Sequence, residues 1–347
     1  LVLSRLFDII CFWIALDICD FQEGPRNLAL KLAILAILTW VECSKGDLVE
    51  PLLAICIPTF NRDYLLDKML EQVVPVVIEF GIPIYISDNA SPDNTRAVVH
   101  KYQGLYSQII YFRQETNLGP DRNFEFLLIH SEAKYKWLLH DSSYFLKADL
   151  EAILEALAAN DYDFVVLGEK YRTEHLGPNR AYSNSDELLQ ELGWHMTLVS
   201  CLIYNQNCIR YLNFERYYNS RFLQTGVIFE YIAVRSCKVF FLNSVKVKEF
   251  AVQKRAFWEP ISFEIFAKDW YLFVMSLPLT YSFYAKRKCI LSHGKRFFTI
   301  RKLLLLRSKG YFSYSIFVKY YYFIRQTVPI PVMLSILISI LPQKPLW

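Results

Sequence analysis

The sequence lacks the short motifs that most often identify a catalytic or metal-binding protein. Its eight cysteines form no Cys-x-x-Cys pair and show no spacing with histidine that is typical of a zinc site. There is no P-loop, no Gly-x-Gly-x-x-Gly run and no arrangement of serine, histidine and aspartate typical of a hydrolase. We therefore expect buried free thiols in a reducing compartment, and we expect neither a zinc protein nor a P-loop nucleotidase.

Long apolar runs are also missing, although 54% of the residues are hydrophobic and the mean hydropathy is +0.19. A membrane span needs roughly 18–20 consecutive apolar residues. The nearest stretches are LALKLAILAILTWV (28–41), interrupted by Lys31, and VPIPVMLSILISIL (328–341), which contains two prolines. Both stretches are predicted to be buried or interfacial helices rather than spans.

Acidic residues are absent from Trp270 to Trp347, a region with twelve Lys and Arg residues. Residues 1–269 therefore hold 26 of the 38 basic residues and all 34 acidic ones. The formal charge is −8 for residues 1–269 and +12 for residues 270–347. Such a basic, aromatic region suits an anionic membrane surface, nucleic acid, or ordinary packing with a solvated basic face. Because basic residues alternate with Leu, Ile, Phe and Tyr in KRFFTIRKLLLLRSKGYF (295–312), the pattern favours the membrane surface and not nucleic acid.

The first 48 residues differ in character from the rest of the chain. They mix apolar runs with DFQEGPRN (20–27) and contain no clear strand. No basic start followed by one apolar run and a small-residue cleavage site is present, so no signal peptide is expected. We expect the natural start near Val49 and an N-terminal extension over 1–48, with an amphipathic anchor as the alternative.

From Leu52 onward, short apolar runs alternate with segments of helical periodicity. Strands are predicted at 52–58, 82–88, 108–114, 135–141 and 163–168, and helices at 62–80, 94–103, 124–132 and 150–160. This alternation predicts an α/β fold with a mostly parallel sheet and helices on both faces. Beyond residue 180 the pattern weakens: a helix and then a strand are predicted over 222–242, and helices after 245.

Polar residues follow the predicted strands at the points where the strands end. Thr59 and Arg62 follow the first strand, Asp88 and Asn89 the second, and Asp141 the fourth. In open α/β sheets, ligands bind at the carboxyl ends of the strands. The positions of these residues therefore predict a binding site at one edge of the sheet.

Four stretches in this order resemble the family-2 glycosyltransferases, which have the Rossmann-like GT-A fold. They are ICIPTFNR (55–62), YISDNASPDNT (85–95), NLGPDRNF (117–124) and WLLHDSSYF (137–145). The chain is similar in particular to the abequosyltransferase-like group of bacterial O-antigen and capsule assembly. This resemblance implies a glycosyltransferase domain over 49–245 and a helical, basic, membrane-associating region over 246–347.

The resemblance also implies a nucleotide site. Its residues would be Pro58, Thr59, Arg62, Asp88, Asn89, Asn117, Gly119, Asn123 and Asp141. Asp88 would bind the base, and the loop around Asn117 would lie near the ribose and diphosphate. From the residues alone, Asp88 could instead cap the next helix, and Arg62 could form a surface salt bridge.

The same resemblance implies Mg²⁺ or Mn²⁺ bound at Asp141, in a region where close relatives carry consecutive aspartates. Here the sequence is His140-Asp141-Ser142-Ser143, with serine at the position of the most direct ligand. Three alternatives follow for the charge of the leaving nucleoside diphosphate. Asp141 and waters could hold a weakly bound Mg²⁺, His140 or a basic side chain could supply the charge, or the chain could bind nucleotide without transferring sugar.

An inverting transferase needs a general base for the acceptor hydroxyl. The candidates are Glu230, and behind it Asp269, whereas His195 is interpreted as a core or acceptor-pocket residue. The predicted function is transfer of a sugar from a UDP, CDP or dTDP donor to a lipid-linked glycan. We expect a peripheral enzyme at the cytoplasmic face of the inner membrane. The alternatives are a non-catalytic nucleotide-sugar-binding partner in polysaccharide assembly and, more distantly, a nucleotidyltransferase.

Overall fold

The structure is a computed structural model that describes residues 50–250 and 258–343. The N-terminal extension predicted over 1–48, including the apolar stretch at 28–41, lies outside the described residues. From residue 53 to 173 strands and helices alternate as predicted, and from residue 264 to 340 the elements are all helical.

Nine strands form one sheet in the described part of the chain. They are β1 (Leu53–Thr59), β2 (Ile84–Asp88), β3 (Ile109–Arg113), β4 (Tyr135–Leu138), β5 (Ser143–Tyr144), β6 (Phe164–Glu169), β7 (Arg180–Tyr182), β8 (Leu202–Asn205) and β9 (Val239–Glu249). Their order is β3-β2-β1-β4-β8-β6-β9-β5, and β7 also pairs with β9. Because only β5, β7 and β8 run against the other strands, the predicted mostly parallel sheet is confirmed.

Within residues 50–250, eight α-helices connect the strands. They are α1 (Asp63–Phe80), α2 (Thr95–Gln103), α3 (Pro120–His130), α4 (Lys147–Ala159), α5 (Lys170–Thr173), α6 (Ser185–Leu192), α7 (Gln206–Ile209) and α8 (Leu223–Val234). A π-type helix, Glu264–Asp269, then runs into the C-terminal helices. These are α9 (Trp270–Ser276), α10 (Phe283–Phe297), α11 (Ile300–Ser308), α12 (Tyr314–Lys319), α13 (Tyr321–Thr327) and α14 (Val332–Ile340).

The central strands are covered on both faces. All seven residues of β1 and all five residues of β2 are buried, which explains why both appear in the sequence as nearly continuous apolar runs. On α1, the periodic residues predicted to face the core, such as Leu66, Met69 and Val73, are buried. Burial of apolar surface on both faces of the sheet is the main favourable term in the stability of this half.

Helix α3 begins four residues before the predicted start at 124. Gly119 has a φ of +82°, a conformation that residues with a side chain rarely adopt, and it turns the chain into the helix. Pro120 then occupies the first helical position, where its missing N–H has no intrahelical partner to lose. The Gly119-Pro120 segment, whose composition predicts a loop, therefore contains the start of a helix.

The C-terminal helices share the core of the sheet domain. Strand β9 continues to Glu249, past the division predicted at 245, and Trp270, Phe273 and Cys289 belong to the same buried cluster as the strands. A second buried cluster, around Phe298, Leu303 and Phe312, joins the later helices. The two predicted regions are therefore packed together through α9 and α10, and the domain division itself stays a prediction.

In residues 50–250 and 258–343, the helices are all too short or too polar to cross a bilayer. The apolar stretch at 328–341 contains α14, which is nine residues long.

We expect Gly294→Ala to destabilise the fold, because α10 and the end of α13 approach closely there. A Cβ atom at Gly294 would clash with the backbone carbonyl oxygen of Thr327, and this backbone has little freedom to move. Overpacking of this kind costs about 1–3 kcal/mol in the free energy of unfolding. Urea unfolding measures the effect. Gly177→Ala is the control, since nothing lies within 4 Å of its Cβ position; equal stabilities of the two variants would contradict the packing described.

Candidate active site

The carboxyl ends of β1, β2 and β4 meet at one edge of the sheet. In the parallel register, Thr59 lies opposite Asp88, and Cys56 lies opposite Leu138, three residues before Asp141. The backbone N–H of Asn89 donates to the carbonyl oxygen of Thr59 at 3.0 Å, so the two turns are joined directly. The predicted meeting of these polar segments at one edge is what parallel strands require.

The turns after β1 and β2 each contain a residue in the left-handed conformation. Asn61 has a φ of 53° and Ala90 a φ of 63°. The N–H of Asn61 donates to Ser91 Oγ at 2.8 Å, which ties one turn to the other. A left-handed residue with a side chain costs roughly 1–2 kcal/mol and is often found at functional sites. The turn that contains Asn61 therefore places Arg62 at the edge of the sheet where the strands end.

Asp141 is the centre of this edge. Its side chain is only 2% exposed, and Arg62 Nη1 lies 2.9 Å from Oδ1. Thr59 Oγ1 donates to Oδ2 at 3.0 Å, so both carboxylate oxygens have protein donors. A buried carboxylate requires such compensation, because an unpaired charge in a low-dielectric interior is strongly unfavourable. The side chain of Arg62 remains 35% exposed, and the guanidinium therefore faces both the carboxylate and the open edge.

His140 completes the cluster. Arg62 Nη1 lies 3.4 Å from His140 Nε2, and because arginine can only donate, Nε2 is the acceptor. The ring proton is then on Nδ1, which lies 2.9 Å from Ser142 Oγ and 3.1 Å from Asp141 Oδ1. The histidine thus orients Ser142 and lies beside the carboxylate of Asp141.

Asp88 accepts hydrogen bonds from three groups of the protein. It is fully buried and accepts from the N–H of Ser91 at 2.8 Å, from Tyr111 Oη at 2.6 Å and from Arg113 Nη1 at 2.7 Å. Burial, together with the hydrogen bond to Asp88, raises the pKa of Tyr111 to about 12. In this arrangement the carboxylate holds the turn after β2 against β3.

Three of the predicted amide residues form a scaffold beside this turn. Asn89 Nδ2 donates to Asn117 Oδ1 at 2.9 Å, and Asn89 Oδ1 accepts from the N–H of Leu118 at 2.8 Å. Asn123 is buried and exchanges hydrogen bonds with Ser87, at 2.6 Å to the side chain and 3.1 Å to the backbone. These bonds fix the loop that leads through Gly119 into α3.

The residues around Asp141 do not fit a divalent metal site. In the described part of the chain, no group of three or more His, Cys, Asp or Glu side chains is placed to hold a metal ion. Asp141 is the single carboxylate of its cluster, its two oxygens already accept from Arg62 and Thr59, and Ser142 Oγ is bonded to His140. Hard cations such as Mg²⁺ require several oxygen ligands, which this set does not offer. The predicted use of Mg²⁺ or Mn²⁺ stays a prediction.

The two candidate general bases are paired elsewhere. Glu230 accepts from Arg216 Nη1 at 2.7 Å and from Tyr217 Oη at 2.8 Å, and Asp269 accepts from Arg221 Nε at 3.0 Å. His195 is buried, and burial lowers its pKa to about 3, in keeping with its interpretation as a core residue.

A cavity of about 510 Å³ was not anticipated from the sequence. We call it the α10 cavity; it is lined by Glu169, Arg172, Trp194, Glu249, Lys295 and Arg296 among others. Its residues come from β6, α5, the segment before β8, β9 and the end of α10. No spacing rule connects such distant segments, so only the folded chain could identify it. The exposed ring of Phe60, at the exit of β1, was also missed.

The fold and the polar edge define an α/β protein with a ligand site at the carboxyl ends of a mostly parallel sheet. The chain belongs to glycosyl transferase family 2, because the model of that family matches residues 54–241, more than half of the sequence. The resemblance inferred from the four motifs is therefore confirmed.

Two curated relatives support this assignment. Abequosyltransferase RfbV of Salmonella typhimurium is 30% identical over 188 residues, which cover 52% of this chain and 51% of that protein. The GalNAc(5)-diNAcBac-PP-undecaprenol beta-1,3-glucosyltransferase of Campylobacter jejuni is 29% identical over 106 residues, 30% of this chain and 34% of that protein. The chain thus matches about half the length of the first relative and about a third of the second.

Solved structures confirm the GT-A fold. S. aureus TarS (residues 1–349) in complex with UDP superimposes with a TM-score of 0.53 at 11% identity, covering 83% of this chain and 90% of that one. The mannosyltransferase PcManGT of Pyrobaculum calidifontis, solved with GDP-Man and Mn²⁺, has a TM-score of 0.53 at 12% identity, covering 84% and 86%. At such low identity the likeness concerns the fold alone.

We expect Arg62 and Asp141 to be energetically coupled in folding. Arg62→Met leaves a buried carboxylate with neutral donors only, whereas Asp141→Asn removes the charge that needs Arg62. A double-mutant cycle in urea unfolding should give a coupling of about 1–2 kcal/mol, moderated because the arginine is partly exposed.

The control cycle uses Lys101→Met and Asp67→Asn. This pair has the same type of contact, 2.8 Å, but its side chains are 57% and 42% exposed. We expect a clearly smaller coupling there; effects at Arg62 and Asp141 that simply add would show that the buried pair is not the organising contact.

Proposed function

We propose that the chain transfers a sugar, with inversion, from a nucleoside diphosphate donor to a lipid-linked glycan. The observation that carries the proposal is the cluster of Arg62, Thr59 and Asp141 at the carboxyl ends of β1 and β4. It presents a partly exposed guanidinium, held rigidly, at the edge where ligands of such sheets bind. Membership of glycosyl transferase family 2 supplies the reaction class.

The donor nucleotide would lie across the ends of β1 and β2. Phe60 is 41% exposed at this edge and offers a ring face to the base, and Arg62 offers guanidinium N–H groups to the diphosphate. Asp88, Asn89 and Asn123 would act indirectly, because their hydrogen bonds hold the two turns and the loop in place. Of the predicted nucleotide-binding residues, Arg62 would therefore contact the donor, whereas Asp88, Asn89 and Asn123 would hold the contacting residues in place. Pro58, Thr59, Asn117, Gly119 and Asp141 line or support the same edge.

The leaving nucleoside diphosphate gains negative charge as the glycosidic bond breaks, and fixed positive groups lower the barrier. Of the three alternatives for this charge, the contacts favour a basic side chain, with Arg62 as the group and Asp141, Thr59 and His140 as its support. We therefore propose that donor binding does not require Mg²⁺ or Mn²⁺.

Inverting transfer also needs a base for the acceptor hydroxyl. Glu230 and Asp269 stay the predicted candidates. Each would have to exchange its arginine partner, Arg216 or Arg221, for the acceptor before it could take a proton.

The acceptor is proposed to be lipid-linked because the C-terminal helices suit a bilayer surface. Large apolar side chains are exposed there, including Leu279, Phe283 and Ile300, on a region without acidic residues. Exposed aromatic and aliphatic groups among cations are typical of proteins that bind anionic lipid peripherally. The proposed location is the cytoplasmic face of the inner membrane. The name of one curated relative, a glucosyltransferase acting on an undecaprenol-linked glycan, agrees with this class of acceptor.

A second function, nucleotide-sugar binding without transfer, is favoured by one observation. Ser142 and Ser143 stand in the region where the resemblance implies a metal site, and both hydroxyls are engaged in hydrogen bonds, with His140 and Ser200. Release of UDP from a UDP-sugar separates the two functions, since a binding protein would hold the donor without hydrolysing it.

We expect UDP to bind with equal affinity in EDTA and in Mn²⁺, measured by calorimetric titration with CDP and dTDP as comparators. Arg62→Gln should weaken binding about tenfold, the loss of one charge-assisted hydrogen bond. Arg210→Gln is the control, an exposed arginine that follows β8, whose carboxyl end lies at the opposite edge of the sheet, beside the start of β4. Binding that appears only with Mn²⁺ and disappears in Asp141→Ala would overturn the charge assignment.

We expect the chain to bind vesicles that contain phosphatidylglycerol and not vesicles of phosphatidylcholine alone, in a flotation assay. Lys288→Glu with Arg301→Glu should reduce binding at least about tenfold, because each cation near an anionic surface contributes about 1 kcal/mol. The matched pair Arg210→Glu with Lys238→Glu changes exposed cations outside the C-terminal helices and should leave binding unchanged. A similar loss in both pairs would mean that net charge, and not this surface, attracts the protein.

A further inference from the structure

The α10 cavity lies beside the Asp141 cluster. The N–H of Phe250, next to Glu249 of the cavity, donates to the carbonyl oxygen of Ser142 at 2.9 Å. On the other side, the N–H of His140 donates to Ser200 Oγ at 3.0 Å, two residues beyond the cavity residue Leu198. A molecule in the cavity would therefore lie next to the proposed position of the donor diphosphate.

Cations form one wall of the cavity. Lys295 and Arg296 are exposed at the end of α10, and Arg172 projects from α5. In residues 50–250 and 258–343, none of these three cations forms an ion pair with a carboxylate. Arg296 donates instead to the carbonyl oxygen of Tyr171 at 2.6 Å, which holds it across the cavity rim. The wall therefore carries positive charge that the protein does not neutralise directly.

Arg172 is the most rigid of the three. Its Nη1 donates to Thr197 Oγ1 at 3.1 Å, and its guanidinium stacks on the ring of Trp194 at 4.0 Å. Trp194 in turn packs edge-on against His293 of α10, with the ring centroids 4.6 Å apart. Burial lowers the pKa of Arg172, whereas the nearby carboxylates of Glu169 and Glu249 act in the opposite direction. A preorganised guanidinium of this kind suits phosphate recognition.

Carboxylates form the wall nearer the sheet. Glu249 is the last residue of β9 and lies opposite Ser143 in the antiparallel pair, and Glu169 is the last residue of β6. Glu169 accepts one hydrogen bond from the backbone of Arg172, and no side-chain partner holds Glu249 within the described residues. Carboxylate oxygens accept well from sugar hydroxyls. The volume of the cavity falls in the range of small-molecule sites.

Resting on the proposed transferase function, we propose that the α10 cavity is the acceptor site and takes a glycosyl phosphate or diphosphate. The phosphate lies on the wall of Arg172, Lys295 and Arg296, and the sugar hydroxyls contact Glu169 and Glu249. This orientation directs the sugar toward the Asp141 cluster and the phosphate toward the C-terminal helices. An acceptor whose phosphate is attached to a membrane lipid would enter in this way.

The test is calorimetric titration of N-acetylglucosamine 1-phosphate into the full chain, with saturating UDP present so that the donor edge is occupied. We expect binding that unphosphorylated N-acetylglucosamine does not show. Lys295→Met should weaken it about tenfold, and Lys295→Arg should retain it, because both basic side chains can pair with phosphate. Lys319→Met, an exposed lysine of α12 that does not line the cavity, should have no effect. Unchanged circular dichroism of each variant excludes unfolding.

The phosphate could belong to a lipid-linked or to a soluble acceptor. Titration of N-acetylglucosamine linked to farnesyl diphosphate, in detergent micelles, distinguishes the two. Tighter binding than the soluble glycosyl phosphate, still dependent on Lys295, assigns a lipid-linked acceptor, and equal binding assigns a soluble one. Absence of glycosyl phosphate binding, or equal binding by Lys295→Met, would overturn the cavity proposal. Binding of UDP is measured separately on the same variants, so failure of the donor site and failure of the cavity give different results.

Discussion

The buried charge of Asp141 is the constraint on which the arrangement of this edge depends. A carboxylate that is 2% exposed needs donors, and they come from Thr59 and Arg62 of a strand exit 79 to 82 residues earlier. Those bonds fasten the end of β1 to the segment after β4. Because the hydrogen bond from the N–H of Asn61 to Ser91 ties the β1 turn to the β2 turn, one charge organises three strand ends.

Charge compensation also accounts for the serines that follow Asp141 in this chain. Additional carboxylates beside Asp141 would repel one another without a divalent ion, whereas Ser142 and Ser143 form neutral hydrogen bonds with His140 and Ser200. The single carboxylate is then matched by one guanidinium. The local charge balance is complete within the protein, and Arg62 is left partly exposed toward the edge.

The second half of the sheet places a different kind of surface beside this edge. Strand β8 enters antiparallel between β4 and β6, and it sets the segment of Trp194 and Leu198 next to the end of β6. Helices α9 and α10 share the core of the sheet, so the cations at the end of α10 are held over that segment. The packing of α9 and α10 against the sheet therefore also forms the α10 cavity.

The sequence by itself determined the elements of the first half and their common edge. Apolar runs mark strands that are buried on both faces, and carboxyl ends of parallel strands must meet, so Thr59, Arg62 and Asp141 could be grouped without coordinates. Only the tertiary structure decided what each side chain contacts. The register of β2 and β3 places Asp88 opposite Arg113, its salt-bridge partner 25 residues later in the chain. The α10 cavity is lined by segments that lie between Glu169 and Arg296 in the sequence. The periodicity of apolar residues shows which face of a single strand or helix is buried. The contact partners of a side chain on another strand or helix depend instead on strand register and on packing between segments that are distant in the sequence.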